Sequence, residues 1–220
     1  MSTYLNPFRG IKLPFFLVFC ICVPYVLMAQ TPVEPKKAEQ ILQQLGRKVA
    51  EVHSLQCSFA QTKSTKLLKD NVQSEGRMVY RQPSELRWEY NKPNDFIFVV
   101  KNNQVAVKKD GKTSKLSGQR AKLFKQMSQM MLGTITGEFL NDARSFTTTL
   151  YQKEDRYMVY LEPKAKDLKK LFVRFVIELA PTLNVATAVE MHEKKGDLTR
   201  IEFDAMQLNE RVDDAEFQLQ

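Results

Sequence analysis

The chain is poor in the side chains that most enzymes place at their centres. Its 220 residues include two histidines, His53 and His192, and three cysteines. Neither histidine has a second at metal-ligand spacing, and Cys20 and Cys22 lie near the N-terminus, leaving Cys57 alone in the body of the chain. Cysteine-rich zinc sites are thereby excluded, and one thiol closes no internal disulfide. Set in an alternating strand pattern, Cys57 reads as a buried apolar residue rather than a reactive one. The chain has no G-x-S-x-G elbow, no P-loop and no G-x-G-x-x-G. Adjacent acids occur at Asp213 and Asp214, where proximity to the terminus reads as surface charge. No cofactor, metal or catalytic residue is expected, although paired acids from separate strands would still allow a hydrolase.

Charge is also missing over a long N-terminal stretch. Arg9 and Lys12 precede Leu13–Met28, which carries none, and the small Ala29 follows. This is the plan of a secretory signal peptide over residues 1–29, cleaved near Ala29. The alternative is an uncleaved anchor, which needs about 20 apolar residues; Pro14, Pro24 and Pro32 interrupt it. Bulky Phe19 and Ile21 stand where a small residue would precede a lipid-modified Cys20 or Cys22. Residues 30–220 then suit one domain with a full core. Without Arg9 and Lys12 that domain keeps 31 of the 33 basic residues against 25 acidic ones, a formal charge of +6. A basic surface attracts anionic lipid headgroups or nucleic acid. Export, and lysines that are not interleaved with aromatics, argue against nucleic acid.

What the chain does have is alternation. Ile41, Leu42, Leu45, Val49 and Val52 recur at helical spacing, which predicts an amphipathic helix over Glu34–Val52. Gly46 inside it costs ~1 kcal/mol relative to alanine. Strands are predicted over Leu55–Lys63, Glu75–Arg81, Glu85–Tyr90, Phe96–Lys101 and Gln104–Lys109, with Ser64–Ser74 as a hairpin tip and Asp110-Gly111 as a turn. The period then changes. Within Gly118–Leu132, Leu123, Phe124, Met127, Met130 and Met131 share one helical face. Gly133 to Gly137 reads as the end of that helix and a flexible link, before a short helix over Glu138–Ala143 that carries Phe139 and Leu140. Strands resume over Phe146–Gln152, Arg156–Pro163, Leu171–Leu179, Val185–Lys194 and Leu198–Gln207.

One helix, five strands, a helical insertion at about 118–143 and five more strands imply a mainly β protein with helices (α+β). A long antiparallel sheet must curl to bury a face. A curved sheet forming an incomplete barrel, with helices over its apolar side, is the expected result.

The stretch Gly76–Val107, GRMVYRQPSELRWEYNKPNDFIFVVKNNQVAV, carries the most information. Three apolar-alternating segments are separated by Pro83-Ser84, by Asn91-Lys92-Pro93-Asn94 and by Asn102-Asn103, as in an antiparallel meander. Leu86, Trp88 and Tyr90 fall on one face and Arg87 and Glu89 on the other, while Met78 and Tyr80 share a face with Gln82. The Met and aromatic surface is wide and adaptable. A Met-rich stripe at helical spacing, taken alone, is ordinary core.

These segments resemble a known family. A strand ending before Pro83, then Trp88-x-Tyr90-x-x-Pro93, an apolar strand and an Asn-rich turn are similar to the periplasmic lipoprotein carriers of the LolA family. Ser54-Leu55-Gln56-Cys57-Ser58-Phe59-Ala60-Gln61 resembles that family's S-F-x-A-x-F-x-Q strand, and Asn209-x-x-Val212-Asp213-Asp214-Ala215-Glu216-Phe217 its closing segment. The likeness covers most of the chain after residue 35. It implies an open barrel with a helical lid over an apolar cavity, lined here by Phe59, Met78, Tyr80, Leu86, Trp88, Tyr90, Phe96 and Phe98 and by lid residues Leu123, Phe124, Met127, Met130 and Met131. It implies a monomeric periplasmic chaperone without covalent chemistry, which shields the acyl chains of lipoproteins between inner and outer membranes. Its partners would be lipoproteins, an inner-membrane releasing transporter and an outer-membrane acceptor, with no nucleic acid.

Two departures bear on mechanism. The family's carriers have an Arg before the strand's Pro, which bonds to the lid and holds the empty cavity shut; here that position is Gln82. An uncharged side chain still donates and accepts hydrogen bonds but makes a weaker latch. Arg81 points to the opposite face. Those carriers also continue into a further segment that helps one-way delivery, whereas this sequence reaches Gln220 soon after Phe217, so the resemblance leaves directionality open. Two alternatives remain open: a lipid-sensing envelope regulator on the same scaffold, and a hydrolase of envelope lipid or glycan.

Overall fold

A computed structural model describes residues 30–66, 70–93, 95–135, 139, 142–180, 182 and 185–219. The predicted signal segment 1–29 therefore lies outside the described residues, as do residues 138, 140 and 141 of the short helix predicted over Glu138–Ala143.

Among the described residues, twelve strands join one antiparallel sheet. They are β1 (Thr31–Pro32), β2 (Ser54–Ser64), β3 (Val72–Arg81), β4 (Glu85–Lys92), β5 (Phe96–Lys101), β6 (Gln104–Lys109), β7 (Lys112–Leu116), β8 (Phe146–Lys153), β9 (Arg156–Pro163), β10 (Phe172–Leu179), β11 (Ala186–Glu193) and β12 (Leu198–Leu208). Their spatial order is β1-β8-β9-β10-β11-β12-β2-β3-β4-β5-β6-β7, with β1 and β7 as the two edges, so the sheet does not close into a barrel. Inward side chains from both halves, such as Trp88 on β4 and Phe175 on β10, nonetheless belong to one buried cluster. Strands so far apart in the sheet share a core only if the sheet curls.

The turns follow from backbone chemistry. Asn102 and Asn103 adopt φ of 48° and 63°, and Asp110 and Gly111 adopt 50° and 74°. Two-residue hairpin loops need left-handed pairs of this kind. The second of them launches β7, a strand the sequence reading lacks because Lys112, Thr113, Ser114 and Lys115 are all exposed and polar. The tip after β2 is shorter than Ser64–Ser74, since pairing runs to Lys63 and Val72.

Helix α1 (Pro35–Ala50) buries Ile41, Leu45 and Val49, the four-residue spacing that predicted it. Helix α2 (Gly118–Ile135) runs past Gly133, where the sequence reading ended it. The Phe139 ring explains the glycine: a Cβ there would lie 2.6 Å from a ring carbon. Gly133 therefore serves close packing rather than helix termination. A six-residue helix, α3 (Lys166–Leu171), links β9 to β10 and holds Leu171, which the sequence reading assigned to the strand. Among the described residues, no helix is long and apolar enough to cross a membrane.

The outer face of the sheet is charged and cross-linked. On β9–β12, Glu178 is paired with Arg156 and with Arg200 (3.1 Å), and Arg200 also reaches Glu190 (2.9 Å) and Glu202 (3.0 Å). Burial would raise the Glu178 carboxyl, but bonds from Arg156 and Arg200 outweigh it and hold the group below its ordinary 4.5. A folded pKa below the unfolded one contributes stability above the unfolded value, and that contribution disappears as pH falls through the folded value. Glu178→Gln is therefore expected to flatten the loss of stability below about pH 4.5, checked by urea unfolding at neutral and acid pH. An unchanged pH slope would show that other carboxylates carry it.

On β3–β5 the outer face is covered by the C-terminal segment. Val212 and Phe217, the latter in a 3-10 turn (Asp214–Phe217), pack on Val79 and Val99. Arg81 lies 4.9 Å from the Phe217 ring, bonds the Val212 carbonyl (3.1 Å) and pairs with Asp214 (2.5 Å). Asp213, adjacent to it, caps the Ala215 amide.

Candidate functional site

The inner face of β2–β6 carries rows of side chains set by register. One row runs Phe203, Phe59, Gly76, Tyr90 and Phe96 across β12, β2, β3, β4 and β5. The next runs Cys57, Met78, Trp88, Phe98 and Val107, and a third Leu55, Tyr80, Leu86, Val100 and Val105. The alternation read from the sequence thus places Phe59, Met78, Tyr80, Leu86, Trp88, Tyr90, Phe96 and Phe98 on one continuous surface. Met78, Leu86 and Trp88 are fully inaccessible, while Tyr90 and Phe96 are half-buried at its margin.

The middle of this surface is aromatic. Phe59 stacks on Trp88 with centroids 4.2 Å apart and an interplanar angle of 29°, and meets Tyr90 edge-on at 5.3 Å. It reaches both because the residue beneath it is Gly76, which leaves room for the ring. Trp88 also stacks on Phe98. Gly76 is a site residue the sequence reading missed. Its signal was a lone glycine inside a strand pattern, which marks close approach of a neighbour.

Polar groups here are few. The Tyr90 hydroxyl donates to Gln61 at 3.1 Å, and burial raises its pKa. The Trp88 indole N–H lies near enough to Tyr90 to oppose that rise, yet meets no hydrogen-bond geometry. Among the described residues it is a buried donor without an acceptor, which costs about 1–3 kcal/mol. Burial pushes the Cys57 thiol up to about 12, so Cys57 is an apolar wall rather than a nucleophile. Among the described residues, no group of three or more His, Cys, Asp or Glu is placed to hold a metal ion.

The two covering helices are attached differently. At the exit of α1, Gln82 donates to the Val52 carbonyl (2.9 Å) and meets His53 Nδ1 (3.2 Å). Asn209 donates to the Glu51 carbonyl and accepts from the His53 amide. Among the described residues Gln82 thus bonds the link between α1 and β2 rather than α2, and Asn209 is a second clamp that the sequence shows only as part of a motif. Arg81 faces outward, as strand alternation requires. Helix α2 meets the surface through Phe124, whose ring lies 5.7 Å from Phe98 and 6.3 Å from Phe96, with Ala121 and Leu132 beside it. Among the described residues no ion pair joins α2 to the sheet. The side chains of Leu123, Met127, Met130 and Met131 lie outside the described residues.

The second half of the core escaped the sequence reading as a site. Phe146, Phe172 and Phe175 form a further aromatic group, with Phe139 over Phe146 at 5.0 Å. Phe146, Phe172 and Phe175 were visible only as apolar strand positions, and Phe139 only as an apolar position in the short helix.

The sequence profile of the family described as outer membrane lipoprotein carrier protein LolA matches residues 50–220. No curated protein matches the chain. Among solved structures, a LolA superfamily protein, NE2245 from Nitrosomonas europaea, is 11% identical over 83% of this chain and 97% of that one, with a TM-score of 0.44. LprF from Mycobacterium bovis is 15% identical over 83% and 97%, with a TM-score of 0.45. A chain of the Pseudomonas aeruginosa MucA/MucB complex is 16% identical over 84% and 61%, with a TM-score of 0.42.

Proposed function

We propose, because the chain belongs to the LolA family of outer membrane lipoprotein carrier proteins, that it is a periplasmic chaperone for the acyl chains of lipoproteins. In this reading it takes them from an inner-membrane releasing transporter to an outer-membrane acceptor, as a monomer and without covalent chemistry. The observation that carries the reading is the uninterrupted apolar inner face from Phe59 to Phe98, closed by a helix that touches it through Phe124.

The energetics suit a carrier. Each CH₂ moved from water into an apolar site is worth about 0.8 kcal/mol, so several acyl chains would bind far too tightly to leave an open trough. Here the empty trough is filled by its own rings. A ligand must displace those contacts, and the self-packed state competes with it on release. Helix α2 is the part that moves. Its apolar contacts separate without leaving a buried ion unpaired, whereas lifting α1 would break the Gln82 and Asn209 bonds to its exit. Met127, Met130 and Met131 complete the lid side of the proposed cavity, and Gln82 steadies the closed form from the α1 side.

Native mass spectrometry of the protein isolated from its own envelope tests the reading. The wild type is expected to carry triacylated polypeptide or lipid adducts, and Phe124→Glu to lose them, since a carboxylate beside Phe96 and Phe98 would be desolvated on closure. A folded wild type that stays free of adducts after incubation with inner-membrane vesicles and their transporter would sink it.

A further inference from the structure

Among the described residues, three large apolar side chains stand out in solvent: Val72 (43% exposed), Leu171 (59%) and Val173 (53%). All three sit at one end of the sheet. Val72 pairs with Lys63, Lys63 with Thr199, Thr199 with Met191, and Met191 with Phe175, close to the start of β10. Helix α3 ends at Leu171, and the Leu171 carbonyl accepts from the Lys194 amide of the β11–β12 turn at 2.8 Å. Leu168 and Phe172 pack inward from this segment, so the core is already served. Val173 lies at a register shift between Phe172 and Arg174. A bulge of this kind re-aims the extra side chain.

Around these apolar tips stand exposed lysines: Lys66, Lys166, Lys169, Lys194 and Lys195. None of the five forms an ion pair among the described residues. Three nearby acids are already engaged. Asp167 pairs with Lys170 at 3.0 Å, Glu193 with Lys63 at 3.6 Å, and Asp197 accepts the Lys66 amide. Apolar tips ringed by free ammonium groups match a bilayer boundary, where the tips meet acyl chains and the lysines meet phosphates.

We propose that this rim, formed by α3, the start of β10 and the β11–β12 turn, docks on an anionic phospholipid surface. Docking sets the Tyr90–Gln61 end of the inner face toward the bilayer, because that end of β2 and β4 lies on the same side of the sheet. The surface stands whether or not the inner face takes acyl chains.

The test is sedimentation of the full chain, as isolated from its host, with vesicles of phosphatidylglycerol and phosphatidylethanolamine, against phosphatidylcholine alone. Binding is expected on the anionic vesicles only and is expected to weaken with salt. Each of Lys166→Gln, Lys169→Gln and Lys194→Gln should weaken it about fivefold. Leu171→Ser with Val173→Ser should weaken it about tenfold. Lys115→Gln with Lys153→Gln, exposed at the opposite end of the sheet, should leave it unchanged. Thermal unfolding confirms that each variant is folded. Equal binding to neutral vesicles overturns the proposal. So does binding that the rim variants leave intact, as an apolar N-terminal segment alone would produce, or that the opposite-end pair weakens equally.

Discussion

Gly76→Ala is expected to destabilise the protein by about 3 kcal/mol, reversing the ordinary rule that alanine is the better residue inside a strand. The reason is local and steric. A Cβ at residue 76 would lie 1.9 Å from the Glu89 carbonyl oxygen and 2.6 Å from the Phe59 ring. The first contact is with backbone on the paired strand, which moves only if β3 and β4 separate. The second is with a ring held between Trp88 and Tyr90. The register of β3 on β4 also shifts between Glu75 and Gly76, so the chain there is already displaced from a regular ladder. For a domain of this size, about 3 kcal/mol lowers Tm by roughly 10 °C. Calorimetry or urea unfolding reads the change directly. An alanine variant within about 0.5 kcal/mol of wild type, the range of a neutral surface change, would mean that the Phe59 ring does not lie over residue 76.

Trp88→Ala is expected to cost more, about 3–5 kcal/mol, as for other large-to-small changes in a core. Trp88 is fully buried between Phe59 and Phe98. Its removal opens the centre of the inner face, and a total stability of about 5–15 kcal/mol leaves little margin. Trp88→Phe separates packing from polarity. It removes some volume and also the indole N–H that has no acceptor, and losing a buried unsatisfied donor recovers about 1–3 kcal/mol. The two effects oppose, so the phenylalanine variant should lie within about 1 kcal/mol of wild type. Because Trp88 is the chain's one tryptophan, its emission reports the same site. It should be blue-shifted in the protein as folded here and, on the proposed function, should change when an acyl chain enters. Equal losses for the two variants would show that the indole nitrogen is satisfied in solution, and emission at the wavelength of a hydrated indole would contradict the burial itself.

These two positions show where sequence reading succeeds and where it stops. Side-chain direction alternates along a strand as a matter of local geometry. Leu86, Trp88 and Tyr90 could therefore be assigned to one face, and Arg87 and Glu89 to the other, before any neighbour was known. Asp110-Gly111 and Asn102-Asn103 were legible because their backbone preference belongs to the residues themselves. Helix α1 was legible because its apolar stripe spans four turns. Helix α3 was not, because six residues hold too little of a period to be told from a strand's beginning.

The sequence by itself determined the alternation, the turns, the apolar inner face and, through the spacing of its motifs, the family. Only the tertiary structure decided what those residues meet. That β2 lies between β12 and β3, that Asn209 clamps the exit of α1, that Phe59 lies over Gly76, and that Val212 and Phe217 cover Val79 and Val99 are all contacts between distant segments. The same holds for the rim, where Leu171 and Lys194 meet from two separate connections. Local preference names a residue's direction but not its partner. The partner is chosen when the whole sheet curls to bury one face, and that choice depends on every strand at once.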